Sequence, residues 1–229
     1  MPQVIYLADD EKNIRDLLIP FLERDGYQVH SFETGDLLFA AYEKQKPDLV
    51  ILDIMMPGTD GLTILSQIRQ EDSNLPIILL TARDSDADFI TGFTLGTDDY
   101  FTKPFSPIKL SLHVQALLKR QQEKAPELAS LVHFLDMTID HDKRQVRLSG
   151  QDMSLTKTEF DLLALLMENP EMAHSREAIL KRIWGFEDIE SRAVDDTIKR
   201  LRKKMKVLNG QACIKTVWGY GFKMGDATE

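Results

Sequence analysis

A single cysteine, Cys213, occurs in 229 residues. An internal disulfide is therefore excluded, the core must hold the fold unaided, and a reducing, cytoplasmic setting is expected. Cys213 reads as a small core residue rather than a redox centre. Long apolar runs are lacking too: none nears the ~20 residues that a bilayer-spanning helix needs. The N-terminus lacks the basic-then-apolar pattern of an export signal, so no membrane partner is expected. Internal repeats and low-complexity tracts do not stand out. With 43 % hydrophobic and 28 % charged residues, the chain has the composition of an ordinary globular protein with a buried core. Its length suits one large domain or two ordinary ones.

Net positive charge is absent overall, the sum being −9, but the two halves differ. Residues 1–124 hold 12 Lys/Arg against 20 Asp/Glu, or −8, and residues 125–229 hold 16 against 17, or −1. Within the second half, Arg192 to Lys223 carries nine basic residues and two acids, Asp195 and Asp196, or +7. An acidic half joined to a half with one concentrated basic stripe predicts two domains with different partners.

The first half alternates. Apolar runs "VIYLA", "YQVHSF", "DLVILD", "PIILLT" and the shorter "YFTK" read as buried parallel strands. Helical patterns lie between and after them, at roughly 11–25, 36–45, 61–70, 84–95 and 106–122. This predicts an α/β domain over 1–122, a five-stranded doubly wound parallel sheet. Ligands in such sheets bind at the carboxyl ends of the strands, where Asp9, Asp10, Asp53, Thr81 and Lys103 all fall. A polar stretch at 123–130 reads as a linker. From 131 to 226 a small antiparallel sheet is expected from "LVHFL", "MTID", "QVRLS" and "DMSLT". Three helices follow, the first with capping-box spacing at Thr156 and Glu159, the second capped by Ser175. "IKTVWGYGFKM" closes as a hairpin around Gly219 or Gly221.

Adjacent acids at a strand end often serve only to favour a helix N-terminus. Asp53 at a second strand end changes the weighing, because three converging carboxylates repel one another without a cation. Mg²⁺ answers this: it takes one or two carboxylates, keeps water and leaves room for a phosphate oxygen. Asp53 is then a candidate nucleophile, forming an aspartyl phosphate. Mg²⁺ would hold one phosphoryl oxygen, Lys103 a second and the Thr81 hydroxyl a third. Glu11 begins the following helix or supports Lys103; the residues leave both open.

"DDE", "ILDIMMPGTDG", "LLTAR" and "GTDDYFTKPF", in that order and spacing, resemble the receiver domain of two-component response regulators, a flavodoxin-like fold. The resemblance implies that Asp53 accepts phosphate from a sensor histidine kinase. It implies direct Mg²⁺ ligation by Asp10 and Asp53, with Asp9 acting through water and Met55 through its carbonyl. It makes Thr81 and Tyr100 a switch pair and the Lys103–Pro104 bond cis. The protein itself would be no enzyme. The residues alone would read Tyr100 as a half-buried strand aromatic.

At about 100° per residue, the third C-terminal helix puts Val194, Ile198, Leu201 and Met205 on one apolar stripe. Arg192, Lys199, Lys203 and Lys206 gather roughly opposite, with Arg200 and Lys204 on a flank. Charge runs are usually solvated faces, yet +7 within an acidic protein favours a nucleic-acid footprint. "LTKTEFDLLALL", "RAVDDTIKRLRKKM" and "IKTVWGYGFKM" resemble the winged helix-turn-helix effector domain of the OmpR/PhoB class, an α+β unit. That resemblance implies promoter DNA as partner, contacted by Arg192, Lys199, Arg200, Arg202 and Lys203 in the major groove, with Lys223 on a wing that reaches the minor groove. It implies contact with RNA polymerase through "GFEDIES".

Departures from that class are specific. Thr197 stands where histidine is common and Trp218 where arginine is common. Asp196 either accepts from cytosine N4 or repels phosphate. The resemblance also implies a homodimer when active, through 84–95, 98–102 and 106–122. Ile90 and Phe93 fit its apolar part, and Asp98, Asp99 and Arg120 its charged ring. Phe89, Lys109, Gln115 and His113 depart from the usual pairs, and His113 would make dimerisation pH-sensitive. Two rivals stand beside this reading. One is an Mg²⁺-dependent phosphohydrolase, against which Met55 occupies the position of the second acid. The other is a receiver whose C-terminal module binds protein.

Overall fold

The computed structural model describes residues 2–82, 95–122, 131–185 and 193–228, which fall into two units, Met1–Gln122 and Glu123–Glu229. The helix expected at 84–95 lies outside the described residues except for Leu95, and so does the stretch 123–130.

In the first unit five strands, β1 (Val4–Ala8), β2 (Gln28–Phe32), β3 (Leu49–Asp53), β4 (Ile77–Ala82) and β5 (Asp99–Lys103), form one parallel sheet in the order β2-β1-β3-β4-β5. The described helices are α1 (Lys12–Arg24), α2 (Gly35–Tyr42), α3 (Gly61–Glu71) and α4 (Pro107–Gln122). The central strand β3 is buried at every position, as an apolar strand covered on both faces should be. The outer strands depart from the expectation of uniform burial. In β2 three of five residues are exposed and none is buried, and β5 is only half-buried. Each sits at a sheet edge with one neighbouring strand, a position that an apolar run does not reveal. The sheet order reverses between β1 and β3, and this switch point opens the crevice in which such folds place ligands.

The second unit begins with an antiparallel sheet of β6 (Leu131–Phe134), β7 (Met137–Asp140), β8 (Gln145–Leu148) and β9 (Gln151–Asp152). The last is shorter than expected, because Thr156 already caps the next helix, α5 (Lys157–Glu168). Its hydroxyl accepts from the Glu159 amide while the Glu159 carboxylate accepts from the Thr156 amide, the reciprocal box read from the sequence. Nine of the twelve α5 residues are buried, the signature of a helix enclosed by its neighbours. Ser175 caps α6 (Arg176–Trp184) as expected. The third helix, α7 (Ala193–Val207), buries Val194, Ile198, Leu201 and Met205. A three-stranded sheet, ordered β10 (His174–Ser175), β12 (Gly221–Asp226), β11 (Ala212–Val217), closes the unit. The two-residue β10 had no signature in the sequence. The β11–β12 hairpin turns at Gly219, whose φ of +70° suits glycine, while Gly221 lies within β12.

Candidate functional site

β1 delivers Asp9 and Asp10 to the carboxyl edge of the sheet, and β3 delivers Asp53 beside them. The three offer carboxylate oxygens all within 4.8 Å of one another. Behind Asp53 the start of α3 packs directly on its backbone at Gly61, where a Cβ would lie 2.1 Å from the Asp53 carbonyl oxygen. Asp9 and Asp53 are buried, at 0 % and 3 % exposure, whereas Asp10 is exposed. Burial raises the pKa of both Asp9 and Asp53 above the ordinary carboxylate range, and the nearby Lys103 charge does not cancel the effect.

Lys103, at the end of β5, reaches into this cluster. Its Nζ lies 2.7 Å from Asp53 Oδ2, 2.8 Å from Asp9 Oδ2 and 3.0 Å from Glu11 Oε1. The contacts with Asp53 and Glu11 are aimed hydrogen bonds; that with Asp9 is an ion pair. Burial alone would lower the pKa of Lys103, but the surrounding carboxylates hold it above its ordinary value. Glu11 thus takes both roles left open: it is the N-cap residue of α1, without a side-chain cap bond, and it partners Lys103. The Lys103–Pro104 bond is cis.

The donor set fits a hard divalent cation. Two buried carboxylates and one exposed one, all oxygen donors, retain a net negative charge with only one ammonium among them. Met55 follows two residues after Asp53, and its amide donates to Asp53 Oδ1 at 3.3 Å. Thr81 is buried at the end of β4, with its hydroxyl donating to the Ala82 carbonyl at 3.2 Å. Tyr100 is half-buried and packs against the cluster that includes Leu79, Ile77 and Tyr6.

One residue of this site escaped the sequence reading. Arg15 is 7 % exposed. Its Nη1 donates to the Asp9 carbonyl at 2.6 Å and the Asp10 carbonyl at 3.0 Å, and its Nη2 to Glu33 Oε1 at 3.0 Å. It braces from beneath the loop that carries two of the three carboxylates. The available signal was its spacing: with Leu18 and Leu22 it lies on the buried stripe of α1.

Of the residues expected on a dimer surface, Asp98, Asp99 and His113 are described. Asp98 is 5 % exposed; it accepts from Arg69 Nη2 at 2.8 Å and from the Ile77 amide at 2.9 Å. Asp99 and His113 are 2 % and 6 % exposed and hydrogen-bond to each other, with Phe101 edge-on to the imidazole. Within one chain these three side chains are therefore turned inward. Ile90, Phe93 and Phe89 lie outside the described residues, as does the side chain of Arg120.

On α7 the basic residues separate into two sets. Lys199, Lys203 and Lys206 are exposed. Arg200, expected as a DNA contact, is 6 % exposed: its Nε donates to Glu159 Oε1 at 3.2 Å, and its Nη2 donates to Thr197 Oγ1 at 3.0 Å. Arg202 is half-buried, donating to the Ile214 carbonyl at 2.9 Å and to Thr216 Oγ1 at 2.8 Å. Lys204 also reaches Glu159, at 2.6 Å. Burial pushes the Glu159 carboxyl up, but Arg200 and Lys204 outweigh it and hold the pKa below its ordinary value. Lys223, on β12, lies 3.4 Å from Glu171. Arg192 and most of the "GFEDIES" loop are outside the described residues.

A doubly wound unit with a carboxylate crevice, followed by a winged helical unit with a basic helix, defines a class, and comparison with known proteins agrees. Residues 5–115 match the response regulator receiver domain family, and residues 150–224 match the transcriptional regulatory protein, C-terminal family. The chain is 40 % identical to the transcriptional regulatory protein ResD of Bacillus subtilis (strain 168), covering 96 % of this chain and 94 % of that one. It is 38 % identical to CssR of the same strain, covering 98 % and 99 %. Among solved structures, the response regulator DrrB, a Thermotoga maritima OmpR/PhoB homologue, is 33 % identical, covers 97 % and 99 %, and superposes with a TM-score of 0.52. A mutant of RitR, 24 % identical over 98 % of this chain and 100 % of that one, shares the fold with a TM-score of 0.75. The chain belongs to the two-component response regulators, with a receiver domain followed by an OmpR/PhoB-type DNA-binding domain. No helix among the described residues is long and apolar enough to cross a membrane.

Proposed function

We propose that Asp53 is the phosphoacceptor and that its phosphorylation drives dimerisation and promoter binding. The observation that carries this reading is the convergence of Asp9, Asp10, Asp53 and Lys103 within one crevice. A phosphohistidine on a sensor kinase is the donor. An Asp53 carboxylate oxygen attacks phosphorus, the P–N bond breaks, and its electron pair stays on the departing imidazole. Asp10 and Asp53 directly, Asp9 through water and the Met55 carbonyl would hold Mg²⁺, which would supply charge neutralisation for the phosphoryl oxygens. Lys103, released from part of its carboxylate contacts, orients a second oxygen, and the Thr81 hydroxyl donates to a third. Thr81 and Tyr100 form the switch pair: the hydroxyl moves toward the phosphoryl group and the half-buried ring turns inward.

The resulting dimer uses Ile90 and Phe93, with Arg120 at the rim, and binds paired half-sites. Arg192, Lys199 and Lys203 contact DNA from α7, Arg202 and Lys223 flank them, and residues 185–191 meet RNA polymerase. The setting is the cytoplasm and the role is regulatory, not enzymatic.

Native mass spectrometry with Mg²⁺ and acetyl phosphate, beside Asp53→Ala, tests the reading. One added phosphoryl group, absent from the variant, with a shift from monomer to dimer is the expected outcome. Steady turnover of p-nitrophenyl phosphate would replace it with a phosphohydrolase. Absent or salt-insensitive binding to DNA would replace it with a protein-binding effector.

A further inference from the structure

The β11–β12 hairpin ends in Trp218, Gly219 and Tyr220. Its geometry is fixed: Val217 pairs with Gly221, the Tyr220 amide donates to the Val217 carbonyl at 3.0 Å, and the Tyr220 carbonyl accepts from the Arg176 amide at 3.3 Å. At this anchored tip Trp218 is 92 % exposed and Tyr220 51 % exposed. An indole is the largest apolar surface that a side chain offers, and its N–H wants an acceptor. Such exposure contributes nothing to folding.

The strands behind the tip carry a second feature. Lys215 and Lys223 are direct cross-strand partners, so two ammonium groups share one face of the hairpin, with Lys223 also reaching Glu171 at 3.4 Å. An aromatic tip above paired lysines, on a unit whose α7 exposes Lys199 and Lys203, fits a polyanion with apolar surfaces between its charges. A protein hot spot would instead be an apolar centre within a polar rim.

We propose that Trp218 enters the minor groove of bound DNA and contacts it by shape and stacking rather than by charge. The inference rests on the DNA-binding reading of α7 and the hairpin. A groove about 6 Å wide admits a narrow turn but not a helix. Apolar side chains that enter it wedge base steps apart, and pyrimidine–purine steps yield most readily. Trp218 thereby makes the wing selective for deformable steps, where an arginine would respond to negative potential.

The chain contains two tryptophans, and the other, Trp184, is 1 % exposed. Acrylamide quenching of the full chain therefore reports on Trp218. The probe is a duplex that the full-length protein selects from a randomised pool. On binding, quenching should fall at least threefold. Trp218→Ala should weaken binding about tenfold without changing the salt slope. Trp218→Arg should restore affinity and add about one to that slope. Replacing a TA step under the wing with AA should weaken the parent protein and leave Trp218→Ala unaffected. Tight binding with unchanged quenching, and Trp218→Ala within twofold of the parent, would overturn the inference and leave the tip to a protein partner. Failure of the parent protein to select or bind any duplex would instead overturn the DNA-binding reading, and this inference with it.

Discussion

A guanidinium sealed under an acidic loop is a demanding arrangement, since Arg15 is nearly desolvated while Glu33, its charged partner, is three-quarters exposed. Its compensation comes from the Asp9 and Asp10 carbonyls, so it fixes the backbone from which those two carboxylates project. Residues that orient metal ligands from behind typically control affinity about 10–100-fold. Arg15→Ala should therefore weaken Mg²⁺ binding by that order in isothermal titration calorimetry, and Arg15→Lys should lose less. A Mg²⁺ affinity equal to that of the parent would reduce Arg15 to a packing residue. Asp9, Asp10, Asp53, Thr81 and Lys103 were legible in the sequence because each ends a recognisable strand. Arg15 was not, because a charged residue on a helix reads as solvated unless its neighbours on the buried stripe are weighed with it.

At the scale of elements, periodicity carried the reading well where a helix had one wet face, as in α7, and poorly where sheet neighbours decided burial. The edge strand β2, the abbreviated β9 and the two-residue β10 owe their character to what pairs with them. Arg200 shows the same limit: its helical angle put it on a flank, but the carboxylate that draws it inward sits on another helix. Glu159 holds the first turn of α5 and, through Arg200 and Lys204, the middle of α7. Removing one partner of a buried pair costs about 3–5 kcal/mol because the other charge is stranded. Glu159→Ala should lower the stability of the DNA-binding unit by about that amount in urea melts. The sign with pH follows from the depressed carboxyl. Its contribution is present above the ordinary Glu range and is lost as pH falls from that range toward the lowered value. Parent and variant melts should converge on acidification; a difference that stays constant to pH 3 would show that packing, not charge, is at stake.

For the whole molecule, the separation of basic residues into structural and exposed sets decides how DNA binding responds to salt. Nine cations lie between Arg192 and Lys223, but Arg200 and Lys204 are committed to Glu159, and Arg202 to β11. Each lysine that neutralises a phosphate contributes about 0.9 to the slope of log K against log salt. Lys199→Ala and Lys203→Ala should each flatten the slope by about that amount. Lys204→Ala should act on the melting temperature instead. The receiver carries −8, and a phosphoryl group makes it more negative, so phosphorylation cannot strengthen DNA binding by attraction. If it works by pairing two chains on two half-sites, the number of phosphate contacts doubles and the slope should steepen about twofold. If it only releases a DNA-binding unit that acts alone, affinity should rise with the slope unchanged. Binding isotherms at several salt concentrations, with and without acetyl phosphate, separate the two, and an unchanged slope would count against the dimer as the active species.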